Sequence, residues 1–280
     1  MSQLPADAQL APTTPVAARE PTARQIGVAV VLSAKGGAGG TLIAAHLAAS
    51  LAAEKRVLLV DLDLCKGDVA GVLDLHSDRS INLLLDRLDN LDPNLLRGSV
   101  EVHPSGLHVL IQPYDLTDLH QISADETTKL LSFLREHYDL VVVDVGSRMD
   151  VVSMSAVLTA DEILLITTTD VPSLRDAQRV LGLLRHLDVR PTNLRLVLNK
   201  VQEGVGVAPA DVAAQLHVPI AAVLPADLEA CGRVDTRGHL LWELAPHARI
   251  TRALQSLWKT LRGETDHAAH RHAWPWSHKS

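Results

Sequence analysis

Nine consecutive residues, Ser33-Ala34-Lys35-Gly36-Gly37-Ala38-Gly39-Gly40-Thr41, carry the strongest chemical signal in this chain of 280 residues. They follow an apolar run, Ile26–Leu32, that reads as a buried strand, and they precede Leu42–Ala53, which reads as a helix. Strand, glycine-rich turn and helix is the setting in which a backbone binds phosphate. The glycines Gly36, Gly37, Gly39 and Gly40, with Ala38 among them, let the chain curl so that successive N–H groups face an anion. The following helix N-terminus adds about half a positive charge. Thr41, at the helix start, is placed to hold Mg²⁺ through its hydroxyl. The usual spelling G-x-x-x-x-G-K-[ST] is not met, because Ala34 and Gly40 stand where its first Gly and its Lys belong. The lysine that reaches the β- and γ-phosphates is therefore missing, and a lysine stands early in the loop instead, at Lys35. The bland alternative is a glycine-rich turn that binds nothing.

Three further stations fit the same chemistry. Asp61 and Asp63 end the second apolar run. Two residues apart on an extended chain, they face the same side. One carboxylate can hold Mg²⁺ through water while the other, Asp63, orients an attacking water. Capping of the next turn is the competing explanation. Tyr138-Asp139-Leu140-Val141-Val142-Val143-Asp144 has the form of a buried strand ending in an acid, with Asp144 organising Mg²⁺ and its waters. Leu198-Asn199-Lys200 ends a later strand; the Asn199 amide offers a donor and an acceptor to an adenine edge, or it is a simple turn former. Pro225 and Asp227 follow the next strand and are placed to flank a base.

These stations need elements to position them. Candidate strands are Ile26–Leu32, Arg56–Leu62, Leu107–Ile111, Leu140–Val145, Glu162–Thr167, Leu194–Asn199 and Pro219–Leu224. Most are continuous Val/Leu/Ile runs, the mark of parallel strands covered on both faces. Between them the apolar spacing predicts helices at Leu42–Ala53, Ala124–His137, Val151–Leu158, Ser173–His186 and Ala210–Leu216, with a last one near Ala248–Leu261. The expected fold is one α/β domain over residues 25–262, a doubly wound, mostly parallel sheet with helices on both faces. Glu101–Leu110 reads as a short hairpin turning at Pro104–Gly106. Ser173 is the expected N-cap of its helix, with Asp176 in the first turn. Ile250, Leu254, Leu257, Trp258 and Leu261 share one face of the last helix, expected to pack on the sheet rather than on a membrane.

Composition narrows the class. Hydrophobic residues make up 47% and aromatics only 2%, so the core is aliphatic. A formal net charge of −7 argues against a general nucleic-acid binder, although late basic residues (Arg233, Arg237, Arg249, Arg252, Lys259, Arg262) keep a local patch open. Cys65 and Cys231 form no C-x-x-C pair, which suits a reducing cytoplasm. No apolar run approaches a membrane span. Residues 1–24 and the His-rich 263–280 read as disordered tails.

The loop spelling, with Lys35 and Thr41 around the glycines, resembles the "deviant Walker" loop of the MinD/ParA family of P-loop ATPases. The likeness covers about residues 25–262. It is narrower still to the CpaE/TadZ branch, associated with assembly and polar placement of type IV (Flp/Tad) pili. The residues that carry it are Asp61-Leu-Asp63, Gly67-Asp68-Val-Ala, His103-Pro-Ser-Gly-Leu, Thr169-Asp-Val-Pro-Ser-Leu-Arg175-Asp-Ala, Leu198-Asn-Lys and Val223-Leu-Pro-Ala-Asp227. The resemblance implies ATP and Mg²⁺ as cofactors, Lys35 as a signature lysine reaching a dimer partner's nucleotide, and Thr41 as Mg²⁺ ligand. It further implies Asp61 and Asp63 as switch acids, Asp144 as the Walker B acid and Asn199 as a base contact. Expected partners are a second copy and proteins of a secretion or pilus machine, with membrane contact indirect or weak. Recruitment to the inner face of the membrane or to a pole is part of the same expectation. With Gly40 at the Walker lysine position, hydrolysis is expected to be weak or absent.

Overall fold

The computed structural model describes residues 26–64, 66–113, 115, 121–189, 191–234 and 237–261. Both expected tails, Cys65 and Arg262 lie outside the described residues. Eight strands form: β1 (Val28–Ser33), β2 (Val57–Asp61), β3 (Glu101–Val102), β4 (His108–Leu110), β5 (Leu140–Asp144), β6 (Glu162–Thr167), β7 (Leu194–Val201) and β8 (Ile220–Pro225). They pair as one sheet in the order β3-β4-β2-β5-β1-β6-β7-β8. Every pairing is parallel except β3 with β4. The helices are α1 (Gly40–Ala52), α2 (Asp68–Val72), α3 (Asn82–Leu85), α4 (Pro93–Ser99), α5 (Ala124–His137), α6 (Val151–Thr159), α7 (Val171–His186), α8 (Pro209–Leu216), α9 (Leu228–Val234), α10 (Leu241–Leu244) and α11 (Arg249–Leu261).

The continuous apolar runs have the expected cause. In β1, Val28, Val30 and Leu32 enter one core layer, with Leu130 and Leu134 of α5 and Leu174 and Leu181 of α7. Ala29 and Val31 enter the other, with Ile43 and Leu47 of α1 and Leu254 and Trp258 of α11. A strand buried on both faces has no position for a polar residue until its end, so polar groups accumulate at the C-terminal edge. Strand β1 lies between β5 and β6; its own connection runs to β2 on one side, and the connection from β5 crosses to β6 on the other. A crevice opens beyond the strand ends at such a switch point.

The α/β reading with helices on both faces holds, and the hairpin at 101–110 forms as β3 and β4. The differences are local. Ser173 is not the N-cap of α7: Asp170 is, and its Oδ1 accepts from Ser173 N at 3.0 Å. Asp176 falls beyond the first turn and pairs with Arg179 at 3.2 Å. A Val-Pro pair at the helix start hid the true cap, since Pro at an early position needs no N–H partner. The short helices α2, α3, α4, α9 and α10 span too few residues to show a helical period. Helix α11 buries Ile250, Leu254, Leu257 and Trp258 against the sheet, leaving Leu261 partly covered. Among the described residues, no helix is long and apolar enough to cross a membrane. Because Leu254 is fully buried, Leu254→Ala is expected to cost about 2–5 kcal/mol of unfolding free energy, measured by urea denaturation.

Candidate functional site

The loop after β1 is fixed from both sides. Ser33 N donates to Gly146 O at 2.8 Å beyond β5, and Ala34 N donates to Ile166 O at 2.8 Å in β6. Gly37 and Gly39 then take positive φ (80° and 92°), a conformation costly to residues with a Cβ. Gly39 is the N-cap of α1; no side chain caps this end and no acid sits in its first turn. The helix thus presents its dipole and first amides uncompensated at the crevice, as an anion site requires.

The acids gather where the sequence places them. Asp61 and Asp144 stand opposite each other in the β2–β5 register, both buried. Asp61 Oδ1 accepts from Asp63 N (3.1 Å) and Oδ2 from Val69 N (3.2 Å). Asp144 Oδ1 accepts from Gly146 N at 3.1 Å, whereas Oδ2 is buried with no partner in good hydrogen-bond geometry. Burial raises the Asp61 carboxyl well above its usual range, and Asp144 adds to it. Asp144 is raised to about 6, chiefly by burial; the Thr41 hydroxyl and Gly146 N–H oppose this, and Asp63 and Asp68 reinforce it. Asp63 lies against Gly146, where an added Cβ would meet its carboxylate.

Among the described residues no three His, Cys, Asp or Glu side chains are disposed to cage a metal. The donors instead fit a Mg²⁺ held partly by phosphate and water. Thr41 stands beside Asp144, whose orphaned oxygen and raised pKa mark a site short of positive charge.

On the other side of the loop lies a cleft of about 410 Å³, bordered by Lys35, Gly37, Thr168, Asp170, Lys200 and Val205. Lys35 is half-exposed, 3.9 Å from Asp170. Asp170 is held down to about 2, first by the Thr168 hydroxyl. Asn199 is buried; its Nδ2 donates to Ala38 O at 2.7 Å and its Oδ1 accepts from Lys200 N at 2.9 Å. The amide expected at a base therefore grips the loop. Lys200 Nζ donates to Gly37 O at 2.8 Å, from a backbone with φ of 55°, a conformation costing about 1–2 kcal/mol. Pro225 ends β8 opposite Val201, and Asp227 beyond it accepts from Ala230 N at 3.0 Å as a turn. Sequence reasoning gave no role to Gln112, whose Nε2 donates to Asp61 O at 2.5 Å, nor to Lys200 or Asp170 as loop neighbours. Lys200 had one usable signal, its place directly after Asn199. Gln112 had none, since it follows a strand of only three residues.

A family model described as an AAA domain matches residues 26–196. With this loop, these acids and this strand order, the chain belongs to the MinD/ParA family of P-loop ATPases. It is 30% identical over 207 residues to the septum site-determining protein MinD of Synechocystis, covering 71% of this chain and 76% of that one. It is 26% identical over 245 residues to MinD of Thermotoga maritima, covering 85% and 88%. The fold superposes on a ParA family ATPase from Chlorobium tepidum with a TM-score of 0.77, at 26% identity, over 82% of this chain and 98% of the other. On the Mg-ADP complex of MinD from Pyrococcus horikoshii the TM-score is 0.71 at 21% identity, over 88% and 98%, a likeness of fold.

The raised Asp144 pKa makes folding stability depend on pH. Its neutral form is favoured in the folded chain, so the associated stability is present below about pH 4 and is lost as pH rises through about 6. In metal-free protein, Asp144→Asn is expected to remove this loss and raise stability near pH 7.5 by on the order of 3 kcal/mol. Thermal melts of both proteins across pH 4–8 check it: a variant no more stable at pH 7.5 contradicts the expectation.

Proposed function

We propose that this chain is an ATP- and Mg²⁺-binding switch of the MinD/ParA kind with the deviant Walker loop, acting as a homodimer and hydrolysing ATP weakly or not at all. One observation carries the reading. The loop offers its backbone and an uncapped helix end to phosphate, yet position 40 is glycine and leaves no lysine there. A Cβ at 40 would run into Ser33 Oγ, so the space in which a side chain would begin is already taken by a small rotatable group. Without an ammonium on the γ-phosphate, charge that shifts during phosphoryl transfer goes unstabilised, while ground-state binding keeps the amides, the dipole and Mg²⁺. Thr41, Asp61 and Asp144 would hold Mg²⁺ directly or through water, Gly36–Thr41 the phosphates, and Asp63 the attacking water. Lys35 reaches solvent from the rim of the cleft, in keeping with a role at a partner subunit's nucleotide. Pro225 and Asn199 would border the base.

The biological setting we assign is that of the CpaE/TadZ branch, a pilus-assembly or positioning protein served by protein partners. Its support is the spelling at 61–63, 67–70, 103–107, 169–177, 198–200 and 223–227, together with the substituted lysine. A cell-division or partition role is the second reading, favoured by the septum site-determining proteins among its relatives. Burial of the apolar face of α11 speaks against membrane attachment through that helix.

Calorimetry with MgATP, beside phosphate release on the same samples, tests the proposal. Micromolar binding with little release, and release gained on Gly40→Lys, is the expected result. A wild-type protein that turns over MgATP at rates typical of an active ATPase, or that binds no nucleotide, contradicts it.

A further inference from the structure

Position 40 leaves a positive charge unsupplied at the phosphate loop, and a different residue beside the loop can supply it. We propose that Lys200, at the end of β7, provides the cationic contact to the bound phosphates that residue 40 does not; this rests on the nucleotide-binding reading above. Its ammonium donates to Gly37 O at 2.8 Å, inside the phosphate loop. The preceding residue does the same one step along, Asn199 Nδ2 to Ala38 O at 2.7 Å. Two neighbouring side chains thus hold two successive carbonyls, and the end of β7 is tied to the loop across sequence separations of 161 and 163 residues.

The backbone at Lys200 is organised for this contact. A strand residue ordinarily alternates with its neighbours, but Lys200 takes φ of 55° where the β7–β8 register shifts, and its N–H is tied to Asn199 Oδ1. Such a conformation in a residue with a Cβ persists only where surrounding contacts hold it. Here it turns the side chain over the loop. An ammonium has three protons. One goes to Gly37 O, and the others are available to phosphate oxygens. The bond to Gly37 O also polarises that peptide, whose Ala38 N–H donates within the loop to Lys35 O at 3.2 Å. The other cation of the cleft, Lys35, has Asp170 as an ionic neighbour at 3.9 Å, so its charge is partly matched already.

The test uses the full chain as wild type, Lys200→Ala, Lys200→Met, Gly40→Lys and the double variant Gly40→Lys/Lys200→Ala, with MgATP and AMP as probes in calorimetry. Lys200→Met keeps the stem and removes the charge, and thermal melts confirm that each variant is folded. Loss of Lys200 is expected to weaken MgATP about tenfold or more, the size of one charge-assisted hydrogen bond, and to weaken AMP less than about twofold. The double variant is expected to recover the wild-type MgATP affinity. Unchanged MgATP affinity in folded Lys200→Met overturns the inference. Equal losses for MgATP and AMP overturn it in favour of a grip that merely shapes the loop. So does a double variant that stays weak while Gly40→Lys alone binds normally. A wild-type protein that binds neither probe instead overturns the nucleotide reading on which the inference stands.

Discussion

Two carboxylates placed side by side at the ends of buried strands set the terms for this molecule. Asp61 and Asp144 are opposite each other across β2 and β5, and both are nearly inaccessible. Burial raises both; the charges of Asp144 and Asp63 add to the effect on Asp61, and those of Asp63 and Asp68 to the effect on Asp144. A folded chain accepts such a cluster only where a cation or protons complete it. The sheet enforces the arrangement: fully apolar strands leave their ends as the first places where acids can stand, and parallel pairing brings those ends to one edge. The uncapped end of α1 lies at the same edge, so the acceptors and the anion-seeking amides share one crevice, as a metal–phosphate ligand requires.

Much of this was legible because it is written in short-range patterns. The strand–glycine–helix spelling at 26–53 located the loop, and continuous apolar runs ending in Asp61 and Asp144 located the acids. Parallel strands do not alternate, so their ends are visible in one dimension. What stayed hidden depends on pairing between distant segments. Nothing in the spelling of Asn199 says that its amide spans to Ala38, and nothing near Gln112 says that it reaches Asp61 O. The cap of α7 was misplaced by three residues because Ser173 and Asp170 are both good cap residues, and only the backbone decides between them.

The loop and its helix are stiff on one side and adjustable on the other. On α1, His46 is fully buried; its Nδ1 bonds Leu42 O at 2.8 Å and its Nε2 accepts from Leu241 N at 2.9 Å. Burial lowers its pKa to about 4, which keeps the ring neutral and the Nε2 lone pair available to that N–H across ordinary pH. Trp242 meets the same ring edge-on and Trp258 in turn packs edge-on against Trp242, so α1, α10 and α11 are tied together.

The opposite rim is tied less deeply, with the exposed Lys200 side chain holding Gly37 O at 2.8 Å. Lys35, Gly36 and Gly37 are exposed, Lys35 has a surface ion pair of the weak kind, and the segment after β7 contains Gly204 and Gly206 at positive φ. Free energy from a bound nucleotide can shift only elements that have somewhere to go. A block tied through a buried histidine and two tryptophans does not, whereas a rim of exposed lysines and glycines does. On the nucleotide-binding reading proposed above, differential binding energy would act at the rim, on the side facing solvent. In the switch proposed above, a bound nucleotide would rearrange the surface beside the loop, with the sheet, its acids and α1 as the reference frame.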